Sequence, residues 1–124
     1  MYKNGITLLG GGLIGASWAV LFLSKGARVT VYDPRASAKE EITAYIKAAW
    51  ADLAKLDPLC ASVPWAKLTV TINLKSACQN PDWVQENVPD RLDLKQKLLK
   101  KVETYLPADT PIASSTTALL PSAI

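Results

Sequence analysis

The chain has 124 residues, of which 49% are hydrophobic and 20% charged, with a net charge of +3. That is about one domain with apolar material for one core, and the lysines and arginines are spread too evenly, apart from the neighbours Lys100 and Lys101, to form a nucleic-acid-binding stripe. The two cysteines, Cys60 and Cys78, form no CxxC and there is no histidine, which argues against a Cys/His zinc site and leaves the chain without an imidazole base of its own.

From Asn4 to Ser24 no residue is charged. Such a segment is near the length of a membrane span, Gly11 and Gly15 make a GxxxG pair, and Lys3 could serve as a thin basic flank of a signal peptide. The consecutive Gly10, Gly11 and Gly12 oppose both readings, because each glycine costs a helix interior about 1 kcal/mol relative to alanine. The same residues read well as strand, turn and helix. Ile6 to Leu9 form a short apolar strand, Gly10 to Gly15 fit G-x-G-x-x-G, and a helix follows until Lys25-Gly26 stops it. A second strand, Arg28 to Tyr32, closes at Asp33.

In that pattern Gly10 permits the tight turn, Gly12 lets a pyrophosphate approach the backbone, and Gly15 lets helix and strand pack closely. The pyrophosphate lies at the helix N-terminus, where N–H groups and the macrodipole favour negative charge. Asp33 is placed to accept hydrogen bonds from the adenosine ribose hydroxyls and to repel a 2′-phosphate, which favours NAD over NADP. Arg35 weakens that preference without reversing it. Strand, glycines, helix, second strand and acid in this order make a nucleotide site the preferred reading.

Beyond Pro34, the spacing of Ile42, Tyr45, Ile46, Ala49, Trp50 and Leu53 predicts a helix with Tyr45 and Trp50 packed on the sheet, ended by Asp57-Pro58. A third strand over Lys67 to Thr71, a short helix in "NLKSAC" and a fourth strand over Asp82 to Glu86 follow. A helix opens near Asp90, with Leu94, Leu98, Val102 and Tyr105 inward and Leu99 and Leu106 beside them, and Pro107 stops it. Thr110 to Ser115 make a fifth strand, and another helix begins near Leu120-Pro121. Alternating strands and helices predict an α/β, Rossmann-type, doubly wound parallel sheet, incomplete at the C-terminus. Ligands of such sheets bind beyond the carboxyl ends of the strands. Those ends collect Gly10 to Gly15, Asp33, Gln85-Glu86 and Ser114 to Thr117, the last group fitting either a capping cluster or a ligand contact.

"LLGGGLIGASWA", "VYDPR", "DWVQENVPDRLDLKQKL" and "IASSTTALLPS" together resemble the N-terminal part of the 3-hydroxyacyl-CoA dehydrogenase superfamily over nearly the whole chain. They lie closer to its carnitine dehydrogenase and lambda-crystallin (gulonate dehydrogenase) branch than to its acyl-CoA enzymes. The resemblance implies oxidation of a secondary alcohol, a small polar hydroxy acid in preference to an acyl-CoA, with hydride passing to NAD⁺. It implies that the backbone at Leu13 and Ile14 holds the pyrophosphate, Asp33 the ribose, and Asp90 and Lys95 further parts of the cofactor. Asp90 stands where relatives commonly have Glu. Read from the residues alone, Asp90 and Lys95 would be a solvated first helical turn. Thr117 matches a position commonly held by Ser, whose hydroxyl faces the substrate oxygen.

Relatives carry a catalytic histidine in the stretch after these residues, and a helical C-terminal domain that closes the site and forms a homodimer. The expectation is therefore one partial NAD-binding domain over residues 1–124, with that helical domain absent, from a cytoplasmic enzyme. Alone it would bind NAD weakly and turn over no alcohol at a useful rate. The alternative is an NAD(H)-binding module without catalysis. No metal, nucleic acid or membrane partner is expected.

Overall fold

The computed structural model describes residues 4–56, 62–87 and 92–114. Five short strands lie in one sheet: β1 (Ile6–Leu9), β2 (Val29–Tyr32), β3 (Leu68–Thr71), β4 (Trp83–Glu86) and β5 (Ile112–Ser114). Four helices connect them: α1 (Leu13–Ser24), α2 (Ala38–Leu56), the single-turn α3 (Leu74–Ala77) and α4 (Leu92–Tyr105). All pairings are parallel and the order is β3-β2-β1-β4-β5. Leu9 is level with Tyr32 on one side and Glu86 on the other. The connection from β3 must therefore cross the sheet to reach β4, and β1 flanks the point where the strand order reverses.

Sequence explains the two faces. β1 is buried throughout, as a strand covered on both sides should be. Ile6 and Leu8, with Val29 and Val31 of β2, face a core made with Ala19 and Leu23 of α1 and Ala38, Ile42, Ile46 and Trp50 of α2. Leu9 and Val84 face the opposite core with Cys78 and Val102. Thr7 points to this second side and is buried, its hydroxyl donating to the Ala77 carbonyl 2.5 Å away.

The charge-free N-terminal segment is broken by its glycines. Helix α1 has 12 residues, about 18 Å at 1.5 Å per residue, against a hydrocarbon layer of about 30 Å. Among the described residues no helix is long and apolar enough to cross a membrane. The segment looks uniformly apolar because α1 buries small residues, Gly15, Ala16 and Ala19, against the sheet while Leu13, Ile14 and Leu21 are exposed. Trp18 and Phe22 stack one turn apart with ring centroids at 5.7 Å. Gly26, at φ +85°, ends the helix and donates to the Leu23 carbonyl, as the lysine-glycine stop signal predicts.

The elements expected within the described residues are present, with small shifts. Lys67 belongs to a 3-10 turn, Trp65–Lys67, ahead of β3. Asp82 precedes β4 because its carboxylate accepts the N–H groups of Asn4 and Gly5 at 2.7 and 2.9 Å. β5 begins at Ile112, two residues after the Thr110 expected, and is described to Ser114, with Ser115 outside the described residues. On α4, Leu99 and Val102 are buried and Leu98 packs beside them. Tyr105, expected inward, is 41% exposed. It is the last helical residue, and the neighbouring Leu106 packs against the core instead. Cys60, the side chain of Leu94 and the helix expected near Leu120 lie outside the described residues.

Candidate functional site: a dinucleotide crevice at the carboxyl ends of β1, β2 and β4

The turn after β1 begins at Gly10, whose φ of +98° is a left-handed conformation that glycine adopts without penalty. Its N–H donates to the Tyr32 carbonyl at 2.8 Å, so the turn stays anchored to β2. Gly12 is extended, with φ −69° and ψ −165°, and occupies the N-cap position of α1 without a side-chain cap. A helix's first four N–H groups lack intrahelical acceptors, so this N-terminus retains its capacity to bind an anion. A Cβ built on Gly12 meets nothing within 4 Å, so the space in front of it is open. A Cβ on Gly15 would collide with the carbonyl oxygen of Gly10, which shows how closely the helix lies over the turn. Leu13 and Ile14 stand at the rim, 71% and 54% exposed.

Asp33 follows β2 and is 5% exposed. Its Oδ2 accepts the N–H of Gly11 at 2.9 Å and Arg35 Nη2 at 3.0 Å; its Oδ1 accepts the N–H of Arg35 at 2.9 Å and Arg35 Nε at 3.1 Å. Burial works against the charge on Asp33. The Arg35 guanidinium and the N–H groups of Arg35 and Gly11 together outweigh it and hold the carboxyl below its ordinary value of 3.8. On its far side Arg35 donates Nη1 to Glu41 Oε1 at 3.1 Å, and Ser37 donates its hydroxyl to Glu41 Oε2 at 2.7 Å. The Ser37 hydroxyl, and then Arg35, lower the carboxyl of Glu41.

The opposite wall is the end of β4. Lys95, from the first turns of α4, places its ammonium 3.0 Å from Glu86 Oε1, with side chains 1% and 0% exposed. The solvated first turn suggested by the residues alone is thus corrected for Lys95, which is buried among the tips of the sheet. Asp90 and Thr117 lie outside the described residues. No group of three or more Cys, Asp or Glu side chains among the described residues could hold a metal ion.

Gly10, Gly12, Leu13, Ile14, Gly15 and Asp33 thus come together at one crevice, with Lys95 on the β4 side. The sequence pattern assigns Gly11 no role in the crevice. Its amide fixes Asp33, and a Cβ there would sit 2.5 Å from Ile42 Cδ1 and 3.3 Å from Asp33 Oδ2. It also left Glu86 without its buried partner, because the two are nine residues apart in the sequence on different elements. The available signal was an acid at the end of an apolar strand, which calls for a cation once it is buried.

A glycine turn feeding a helix N-terminus, an acid at the end of the next strand and this strand order define a doubly wound dinucleotide-binding domain. Residues 5–124 match the 3-hydroxyacyl-CoA dehydrogenase, NAD binding domain, and the chain belongs to that family. It is 40% identical over 111 residues to the L-carnitine dehydrogenase of Streptomyces griseus, covering 90% of this chain and 33% of that protein. It is 38% identical over 117 residues to an L-carnitine dehydrogenase/betainyl-CoA thioesterase of a Rhizobium species, covering 92% of this chain and 23% of that one. The chain therefore spans a third or less of these relatives' length. Among solved structures it is similar to a diketoreductase, with TM-score 0.86, 29% identity, and coverage of 97% of this chain and 44% of that one. The fold also matches 3-hydroxybutyryl-CoA dehydrogenase of Escherichia coli K12, with TM-score 0.86, 23% identity, and coverage of 97% and 26%. NAD is the cofactor of this family of domains, and the open space at Gly12, the uncapped helix N-terminus and the acid at Asp33 fit it.

Proposed function

We propose that the chain is the cofactor-holding part of an NAD-dependent dehydrogenase that oxidises the secondary alcohol of a small hydroxy acid, of the carnitine type, to a ketone. The observation that carries this reading is the open N-terminus of α1 behind Gly12, with a buried carboxylate one strand away. The likeness to L-carnitine dehydrogenases supports the substrate class. The bound nicotinamide would supply the hydride acceptor. The chain's own residues hold and orient it: Gly10 shapes the turn, Gly12, Leu13 and Ile14 present amides to the pyrophosphate, Gly15 seats the helix, and Asp33 receives the adenosine ribose. The family resemblance assigns cofactor contacts to Asp90 and Lys95, the latter only if its ammonium leaves the buried pair with Glu86, and a substrate-facing hydroxyl to Thr117. The sequence of 124 residues holds no histidine. For these residues acting by themselves, that favours binding of NAD without turnover. A cytoplasmic site of action accords with the free, buried thiol of Cys78, and a homodimer of the whole enzyme is the oligomeric state this reading expects.

Calorimetric titration with NAD⁺ and NADP⁺ tests the reading. Wild type should prefer NAD⁺, and Gly12→Val should lose binding while melting at the wild-type temperature, since the new side chain enters open space. Retained binding in Gly12→Val would remove the phosphate cradle, and equal affinity for the two cofactors in wild type would remove the role given to Asp33.

A further inference from the structure

Resting on that reading, the geometry points to Arg35, Glu41 and Ser37 as the device that sets cofactor choice. A carboxylate offers about four acceptor positions. On Asp33 the Gly11 N–H, the Arg35 N–H, Arg35 Nε and Arg35 Nη2 occupy that many. A ribose hydroxyl can donate to Asp33 only by displacing one of them. The two backbone donors are fixed by the fold, so the guanidinium is the one that yields. Its side chain is 48% exposed, while that of Asp33 is 6% exposed.

Glu41 gives the guanidinium somewhere to go. It lies in the first turn of α2, already 3.1 Å from Nη1, and Ser37 holds its other oxygen. Arg35 can leave Asp33 without becoming an unpaired cation. The group Asp33, Arg35 and Glu41 then carries a net charge of −1 beside the ribose, which repels a 2′-phosphate. An arginine in this neighbourhood ordinarily accommodates a 2′-phosphate. Here the carboxylate of Glu41 neutralises it, so the arginine gates the sugar site without recruiting NADP. Arg35 and Glu41 are positioning residues; they act through Asp33 and through charge.

The two residues predict opposite effects on the same ratio. Arg35→Leu clears the guanidinium from Asp33, so NAD⁺ should bind about three- to fivefold more tightly, the factor a part-exposed ion pair is worth, and NADP⁺ no more tightly. Glu41→Gln frees the arginine's charge, so NADP⁺ should gain about fivefold relative to NAD⁺. Both variants, with wild type, would be titrated with both dinucleotides by tryptophan fluorescence at low and high salt, with melting curves to confirm folding. The shift in Glu41→Gln should shrink with salt. Weaker NAD⁺ binding in Arg35→Leu, or an unchanged cofactor ratio in Glu41→Gln, would overturn the inference. If wild type itself failed to bind NAD⁺, the proposed function would fall with it; if wild type bound NAD⁺ and the ratio did not move, only the role of Arg35 and Glu41 would fall.

Discussion

Replacing Lys95 by methionine tests the buried wall of the crevice. The substitution keeps an unbranched apolar stem and removes the ammonium that lies 3.0 Å from Glu86 Oε1, where the two side chains are 1% and 0% exposed. At an effective dielectric of 20, Coulomb's law gives about 5.5 kcal/mol of attraction at that separation, and removing one partner of a buried pair costs about 3–5 kcal/mol. A domain of this size has a total stability of about 5–15 kcal/mol, so Lys95→Met should remove about a fifth of it or more. With a urea m-value of about 1–3 kcal/mol/M, the unfolding midpoint should fall by about 1–5 M. The four tryptophans provide the signal. The double variant Glu86→Gln/Lys95→Met should recover part of the loss, since it no longer buries a charge that has lost its Lys95 partner. A midpoint shift below about 0.3 M at unchanged m-value, or a double variant whose loss equals the sum of the single losses, would refute the coupling.

Gly15→Ala sets a new Cβ against the Gly10 carbonyl, backbone against backbone, and should destabilise the domain by about 1–3 kcal/mol in thermal melts, whereas Gly12→Ala should change stability little. Cys78 is buried, and burial pushes its thiol up to about 11. In a Cys60→Ser background it should therefore resist iodoacetamide at pH 8 and react only as fast as the protein opens. The carboxyl of Asp33 titrates below its ordinary 3.8 when folded. Its contribution to stability should be complete above about pH 4 and should be lost as the pH falls through the lower folded value. Asp33→Asn should flatten that part of a stability-against-pH curve.

The glycine turn and the strands were legible in the sequence because their causes are local. Only glycine suits φ +98° at position 10, and short apolar runs between turn residues make buried strands. The apolar span of α1 misleads for the same reason: hydropathy counts Leu13, Ile14 and Leu21 equally with the core, although they are exposed. What sequence could not give was partnership. Lys95 reads as a solvated lysine among polar neighbours until the strand order brings α4 onto β4 and buries it with Glu86. Arg35 reads as a cation that weakens the NAD preference of the acid two residues before it, and only the turn of chain into α2 supplies Glu41 as its second anchor. Gly11 fills a variable position of the motif, yet a larger residue there would have to push aside the end of the Ile42 side chain from α2.

The placement of β1 has a mechanical consequence. Four residues, Ile6 to Leu9, bind β2 along one edge and β4 along the other, so this strand is the keystone on which both flanks of the sheet lean. A crack along its β4 seam would part the flank that carries Asp33 from the one that carries Glu86. A dinucleotide lying across the tips would splint that seam, and amide exchange in β1 and β4 should slow on binding far more than in the outer strands.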